Sequence, residues 1–237
     1  MDKQTQKQLL KIVKNNYQEI AADFNETRKR HAEPLWSGLV NIAKKIKKND
    51  KILDVGCGNG RLLEIIGKKE IDYLGVDSSQ ELINIARQRF PRNKFAVGDI
   101  LDLGQIKDID FNYVFCVAVF HHLPGRDLRI KALKQLKNKV SPDGRIILTV
   151  WNLWPQRKFR KLILKFVLLK LIKKNPRWSR VGKMDWGDIV FAGLNAQAQR
   201  YYHAFTKLGL RKIIKKAGLK IEKLYKDKYN YYAILKK

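Results

Sequence analysis

The 237-residue sequence has only two cysteines, Cys57 and Cys116, and no C-x-x-C spacing. Both thiols are expected to be buried structural residues of a reducing cytosol rather than partners in a disulfide. Its four histidines form no zinc-binding pattern. The first residues, MDKQTQKQLLKIVK, contain no apolar signal-like run, so secretion is not expected and a cytoplasmic location is. The most apolar stretch, LILKFVLLKLI at 162–172, is too short to span a bilayer and is broken by Lys165 and Lys170. Acids are scarce too: 22 Asp plus Glu face 50 Lys plus Arg, giving a formal charge of +28. A field of that sign favours polyanions such as RNA, DNA or anionic lipid. The plainer reading puts many lysines on ordinary helix faces, such as Lys44, Lys45, Lys47, Lys48, Lys215 and Lys216.

What is present is enough apolar residue, 45%, to build a sizeable core. Helices are expected over 7–30 and 33–48. Short apolar runs at 51–56, 72–77, 93–99 and 112–119 read as buried strands, and RIILTVW at 145–151 as a fifth, entered through an SPDG turn. Helical segments alternate with them: GRLLEIIGKK, SQELINIARQRF with Ser78 or Ser79 as N-cap, and DLRIKALKQLKNKV. Such alternation predicts an α/β fold, a mostly parallel sheet with helices on both faces. The rhythm breaks after Trp154. A basic, apolar segment at 155–174 precedes a loop-like stretch at 175–197. A helix, TKLGLRKIIKKAGL, and two strand-like runs, KIEKLYK and YNYYAILK, end the chain as an antiparallel hairpin.

DVGCGNGR at 54–61 follows the first strand, with glycines at 56, 58 and 60. The spacing is G-x-G-x-G, not the G-x-G-x-x-G of dinucleotide sites. Glycines at such a turn let a ligand approach the backbone closely, and the next helix presents its N–H groups there. Asp54 precedes the turn and suits a cationic ligand better than a pyrophosphate. Asp77 ends the second strand, 21 residues beyond Gly56, where an acid accepts from ribose hydroxyls. Asp99 ends the third, where it can accept from an adenine amino group. An ammonium, a ribose and an adenine without phosphate match S-adenosylmethionine.

These residues resemble the class I S-adenosylmethionine-dependent methyltransferases. LDVGCGNGR, GVDSS, GDI, FCVAVFHHL and LKQLKNKVSPDGRIILTVW are similar to their successive motifs over roughly 45–152. The resemblance implies a Rossmann-like sheet of seven strands in the order 3-2-1-4-5-7-6, the last antiparallel. It implies a donor site built from Asp54, Gly56, Cys57, Gly58, Asn59, Gly60, Asp77, Ser78, Asp99, Ile100, Val117 and His121. Of the pair His121–His122, one lines the site and the other caps the local turn.

A narrower resemblance rests on YQEIAADFNETR at 17–28, DVGCGNGR, AVFHHL, TVW and QRYYHAF at 199–205. Together these look like the tRNA wobble-uridine methyltransferases, which esterify 5-carboxymethyluridine. That implies a carboxylate acceptor in tRNA, with Arg28, Arg200, Tyr201, Tyr202 and His203 near the substrate. The family's eukaryotic members work with a small activating protein, an implied partner here. The segment 155–174 departs from the family in being richly apolar, as a lid helix, a membrane-surface contact or an RNA clamp would be. The expected organisation is a single domain: helical cap 1–48, donor core 49–153, insertion or lid 154–198, and C-terminal part of the sheet 199–237. Two other functions fit less of the pattern: a membrane-surface methyltransferase for a quinone, lipid or metabolite carboxylate, and a donor-binding scaffold without turnover.

Overall fold

The computed structural model describes residues 1–19, 37–171, 184–192 and 199–237. Its main sheet contains β1 (Lys51–Val55), β2 (Asp72–Asp77), β3 (Lys94–Val97), β4 (Phe111–Val117), β5 (Val140–Trp151), β8 (Lys220–Lys226) and β9 (Asn230–Lys236). They are ordered β3-β2-β1-β4-β5-β9-β8. The first five run parallel; β9 is antiparallel to both β5 and β8. With β8 and β9 as the sheet's sixth and seventh strands, this is the expected 3-2-1-4-5-7-6 order.

Side chains alternate across this sheet and feed two cores, as a strand's two-residue period requires. Leu53, Val55, Val114, Cys116, Ile146 and Leu148 enter one core, with Leu133 and Leu136 of α5 (Arg126–Lys139) and Leu210 and Ile214 of α7 (Lys207–Lys216). Ile52, Phe115, Ile147 and Tyr232 enter the other. There they meet α2 (Ser37–Ala43), α3 (Leu62–Ile66) and α4 (Gln80–Arg89). Both cysteines are buried free thiols. Burial on both faces explains why the strands read as continuous apolar runs.

A third core holds a cap over the carboxyl end of the sheet. It joins Leu9 of α1 (Lys3–Glu19), Ile163 and Phe166 of α6 (Arg157–Leu171), and a separate antiparallel ribbon of β6 (Asp188–Ala192) and β7 (Gln199–His203). Here the structure departs from the sequence reading. Residues 199–203 pair with 188–192, not with the main sheet, and 188–192 is a strand inside the stretch read as loop. The DIVFA run hides its period because its first three residues are all buried. The SPDG turn, too, lies within β5: Val140 pairs with Phe111 and Arg145 with Tyr113, so the intervening residues bulge from the ladder. Helix α1 begins at Lys3, four residues before the expected start.

Candidate functional site

A cleft of about 1710 Å³ opens between the carboxyl ends of β1, β2 and β4 and the cap. Open α/β sheets bind ligands at this edge, outside the carboxyl ends of their strands. Its floor is the glycine turn. Gly56 has φ +77°, and a Cβ there would stand 2.1 Å from Val119 Cγ2. Only glycine lets the backbone pass that close, and it does so in the left-handed region where L side chains are strained. Gly56, Cys57, Gly58 and Asn59 line the cleft. Gly60 does not; it packs against Phe90, 2.8 Å from where its Cβ would lie.

Asp77 projects into the cleft from the end of β2. Its carboxylate accepts from the N–H of Gly58 and of Ser79, both at 2.9 Å, which ties the turn to the start of α4. Burial raises its pKa, against the pull of the Ser79, Gly58 and Ser78 N–H groups. Ser79 caps α4, its Oγ accepting from Leu82 N–H at 3.2 Å. Ser78, Asp99, Ile100 and Val117 complete the lining on this side of the cleft. Asp99 Oδ1 accepts from Leu101 N–H at 2.8 Å. Asp54 departs from expectation. It lies behind the turn rather than in the cleft wall, accepting from Tyr73 O–H at 2.8 Å. Burial pushes its carboxyl up to about 7; the Tyr73 hydrogen bond opposes this and the Asp77 charge adds to it. A fully buried acid beside a phenol holds the turn from below instead of meeting a cation.

On the cap side of the cleft, the period of β7 divides RYYH into two sets. Arg200 and Tyr202 line the cleft with Trp151, Phe159 and Phe191. Tyr201 and His203 face the interior, away from it. There Asp188 Oδ1 accepts from Tyr201 O–H at 2.8 Å, from His203 Nδ1 at 2.7 Å and from Arg129 Nη2 at 3.3 Å. Burial favours protonation of Asp188, but the His203 hydrogen bond, the Arg129 charge and the Tyr201 hydroxyl together hold its pKa low. Tyr201 and His203, expected beside the acceptor, therefore belong to a buried clasp. Arg129 and Asp188 are its other half, missed because an Arg on a helix and an Asp before an apolar run are unremarked types at such positions. Arg200 has no ion pair among the described residues, and its shielded Nε has no hydrogen-bond partner among them. Arg28 lies outside the described residues.

Of the histidine pair, His122 stands in the cleft wall. His121, named for the donor side, is instead buried behind it, stacked on Trp151 at 4.8 Å. Neither of its ring nitrogens has a partner among the described residues, and burial drives its pKa well below the usual 6.5. His122 Nδ1 lies 3.3 Å from the Tyr201 carbonyl, which can only accept. The proton therefore belongs on Nδ1, and Nε2 accepts from Tyr17 O–H at 2.8 Å. Tyr17 of α1, first in YQEIAADFNETR, and Trp151 of β5, last in TVW, also stand in the cleft wall; the motifs held them, but nothing in the sequence marked either side chain as facing a ligand.

Burial lowers the His122 pKa to about 4; the Tyr201 carbonyl opposes this, and the Arg200 charge adds to it. The unfolded chain thus takes up a proton near pH 6.5 that the folded protein refuses until about pH 4. The His122 contribution to stability is full above 6.5 and falls as pH drops toward 4, by about 3 kcal/mol at that shift. His122→Gln should lose correspondingly less of its urea midpoint over this range than wild type; equal losses would contradict the buried neutral ring.

The donor side fits S-adenosylmethionine on its own geometry: a turn that admits no side chain, two acids on consecutive strands, and a large cleft bounded by apolar residues. Fold and site define a class I S-adenosylmethionine-dependent methyltransferase. By sequence the chain belongs to the methyltransferase domain family, which it matches over residues 26–224. It is 31% identical over 151 residues to the tRNA (carboxymethyluridine(34)-5-O)-methyltransferase of Mus musculus, a match covering 64% of this chain but only 21% of the mouse protein. It is 28% identical over 230 residues, 96% of both chains, to a protein of Encephalitozoon cuniculi named for methyl transfer. The solved structure of a SAM-dependent methyltransferase from Methanosarcina mazei shares the fold, with a TM-score of 0.67 at 19% identity, covering 86% of this chain and 98% of that one.

Proposed function

We propose that this enzyme methylates the carboxylate of a 5-carboxymethyl-type wobble uridine in tRNA. The observation that carries the reading is Arg200, a guanidinium on an aromatic wall with no acidic partner among the described residues. Arg presents a planar fork that matches a carboxylate or phosphate. Trp151, Phe159 and Phe191, each only partly buried, supply faces on which an unpaired base can stack, an interaction worth about 1–3 kcal/mol per base. The charge of +28 suits a polyanionic carrier, and the mouse relative's name specifies this substrate.

Bound S-adenosylmethionine supplies a methyl group already activated on a sulfonium. In this reading Asp77 accepts from the ribose hydroxyls and Asp99 from the adenine amino group. The close-packed Gly56 turn brings the donor against the backbone. Arg200 holds the acceptor carboxylate, which needs no general base at neutral pH. His122 agrees with that: its Nε2 is occupied by Tyr17 and its pKa lies near 4, so it is no proton acceptor. Catalysis then rests on alignment and exclusion of water.

The test supplies radiolabelled methyl donor to tRNA from cells lacking this enzyme, then digests the tRNA to nucleosides. Label released by mild alkali marks a methyl ester; alkali-stable label, or none, sinks the reading. Arg200→Ala should lower kcat/KM for tRNA about a hundredfold, the scale of one lost charge-assisted contact, with donor affinity within twofold of wild type. A lipid or quinone acceptor at a membrane surface is favoured by one feature of α6. Leu164, Leu168 and Leu171 are 54–64% exposed there beside several cations. Among the described residues no helix is long and apolar enough to cross a membrane. Label appearing in a parallel membrane extract, and not in tRNA, would select that acceptor.

A further inference from the structure

We infer that α1 is the RNA-docking ridge of the enzyme, gripping the phosphate backbone through Lys7, Lys11 and Lys14 beside the cleft mouth. The inference rests on the tRNA reading above and names the surface that holds the polyanion. Two stripes of α1 border the cleft. Leu10, Val13 and Tyr17 recur at helical spacing and form wall; Lys7, Lys11 and Lys14 recur at i, i+4 and i+7 and form rim. All three lysines are exposed. None has an ion pair within 4 Å among the described residues, although Glu81 feels the charge of Lys14.

The helix beneath them is fixed. Leu9 is fully buried, Thr5, Gln6 and Asn16 are buried, Gln6 Nε2 donates to Asp127, and Tyr17 O–H donates to His122. A cationic row on an anchored helix keeps its spacing when a ligand arrives. Lys7 to Lys14 spans about 10 Å along the axis, long enough to meet successive phosphates of one strand. Lys158 on α6 and Lys228 in the β8–β9 turn also line the mouth, so cations border the cleft from the cap and from the sheet edge. A backbone running along α1 would leave its unpaired bases facing the aromatic wall.

The experiment measures binding of a synthetic anticodon stem–loop RNA against salt. It compares wild type, K7Q/K11Q/K14Q, and a control, K212Q/K215Q/K216Q, that removes the same charge from exposed positions of α7 outside the cleft. The α1 triple should weaken binding about tenfold or more and flatten the log–log salt slope by about 2, three contacts at roughly 0.7 each. Its S-adenosylmethionine affinity should equal that of wild type, and the control should change RNA binding less than threefold. RNA binding by wild type that the α1 triple retains, or that the control loses equally, overturns the ridge and leaves the tRNA reading intact. Wild type that ignores RNA but binds anionic phosphatidylserine vesicles overturns the tRNA reading itself.

Discussion

Asp188→Ala should destabilise the fold by about 3–5 kcal/mol, the range measured when one partner of a buried ion pair is removed. The carboxylate is wholly buried and serves three side-chain donors, Tyr201, His203 and Arg129, and its second oxygen accepts from Asp185 N–H at 2.8 Å. Without it the 2%-exposed Arg129 guanidinium keeps the Leu123 carbonyl at 2.8 Å and the Tyr201 hydroxyl at 3.0 Å, but its one remaining acid is the more distant Asp185, at 3.7 Å. Since whole domains are stable by only about 5–15 kcal/mol, the urea midpoint should fall steeply. A loss below about 1 kcal/mol would show that the clasp is dispensable. The sign with pH also follows. A carboxyl whose folded pKa is depressed contributes its stability above the unfolded pKa and loses it as pH falls through the folded one. The gap between wild type and Asp188→Asn should therefore be full at neutral pH and close in acid below about pH 4.

Gly56→Ala should cut S-adenosylmethionine affinity by about two orders of magnitude. Two effects add: a left-handed backbone costs about 1–2 kcal/mol for a residue with a Cβ, and the new methyl would lie 2.1 Å from Val119 Cγ2. Overpacking of that kind adds about 1–3 kcal/mol. Any shift of the turn away from Val119 moves it toward the cleft, the space the donor would occupy. Val119→Ala in the same chain removes the obstructing methyls, so the double variant should recover roughly tenfold in affinity while the backbone strain persists. Titration calorimetry reads both steps. Undiminished affinity in the single variant, with the fold intact, would remove Gly56 from the donor site.

Much of this was legible in the sequence, for identifiable reasons. The main sheet announced itself because strands buried on both faces are compact apolar runs, and its ligand edge because glycines and acids follow those runs. Asp77 and Asp99 followed from position alone. Asp54 did not, since a side chain that ends a strand can point into the cleft or under it, and only Tyr73 on the neighbouring strand decides. RYYH drew attention as a cluster, but its division needed the pairing with 188–192. His121 and His122 are adjacent and identical, and only packing against Trp151 and Tyr17 tells them apart. Arg129 and Asp188, far apart in sequence, left no local pattern to read.

The ribbon carries one further consequence. Along β7, Tyr201 and His203 form the lock while Arg200 and Tyr202 line the cleft, and the two sets alternate letter by letter. A relative could exchange the residues at 200 and 202 to accept a different methyl acceptor while 201 and 203 keep the cap fastened. A slip of β7 by one residue against β6 would break that independence. It would bury the guanidinium of Arg200 and turn the clasp residues into the cleft. A single-residue shift of register would therefore be a loss of function with every side chain still present.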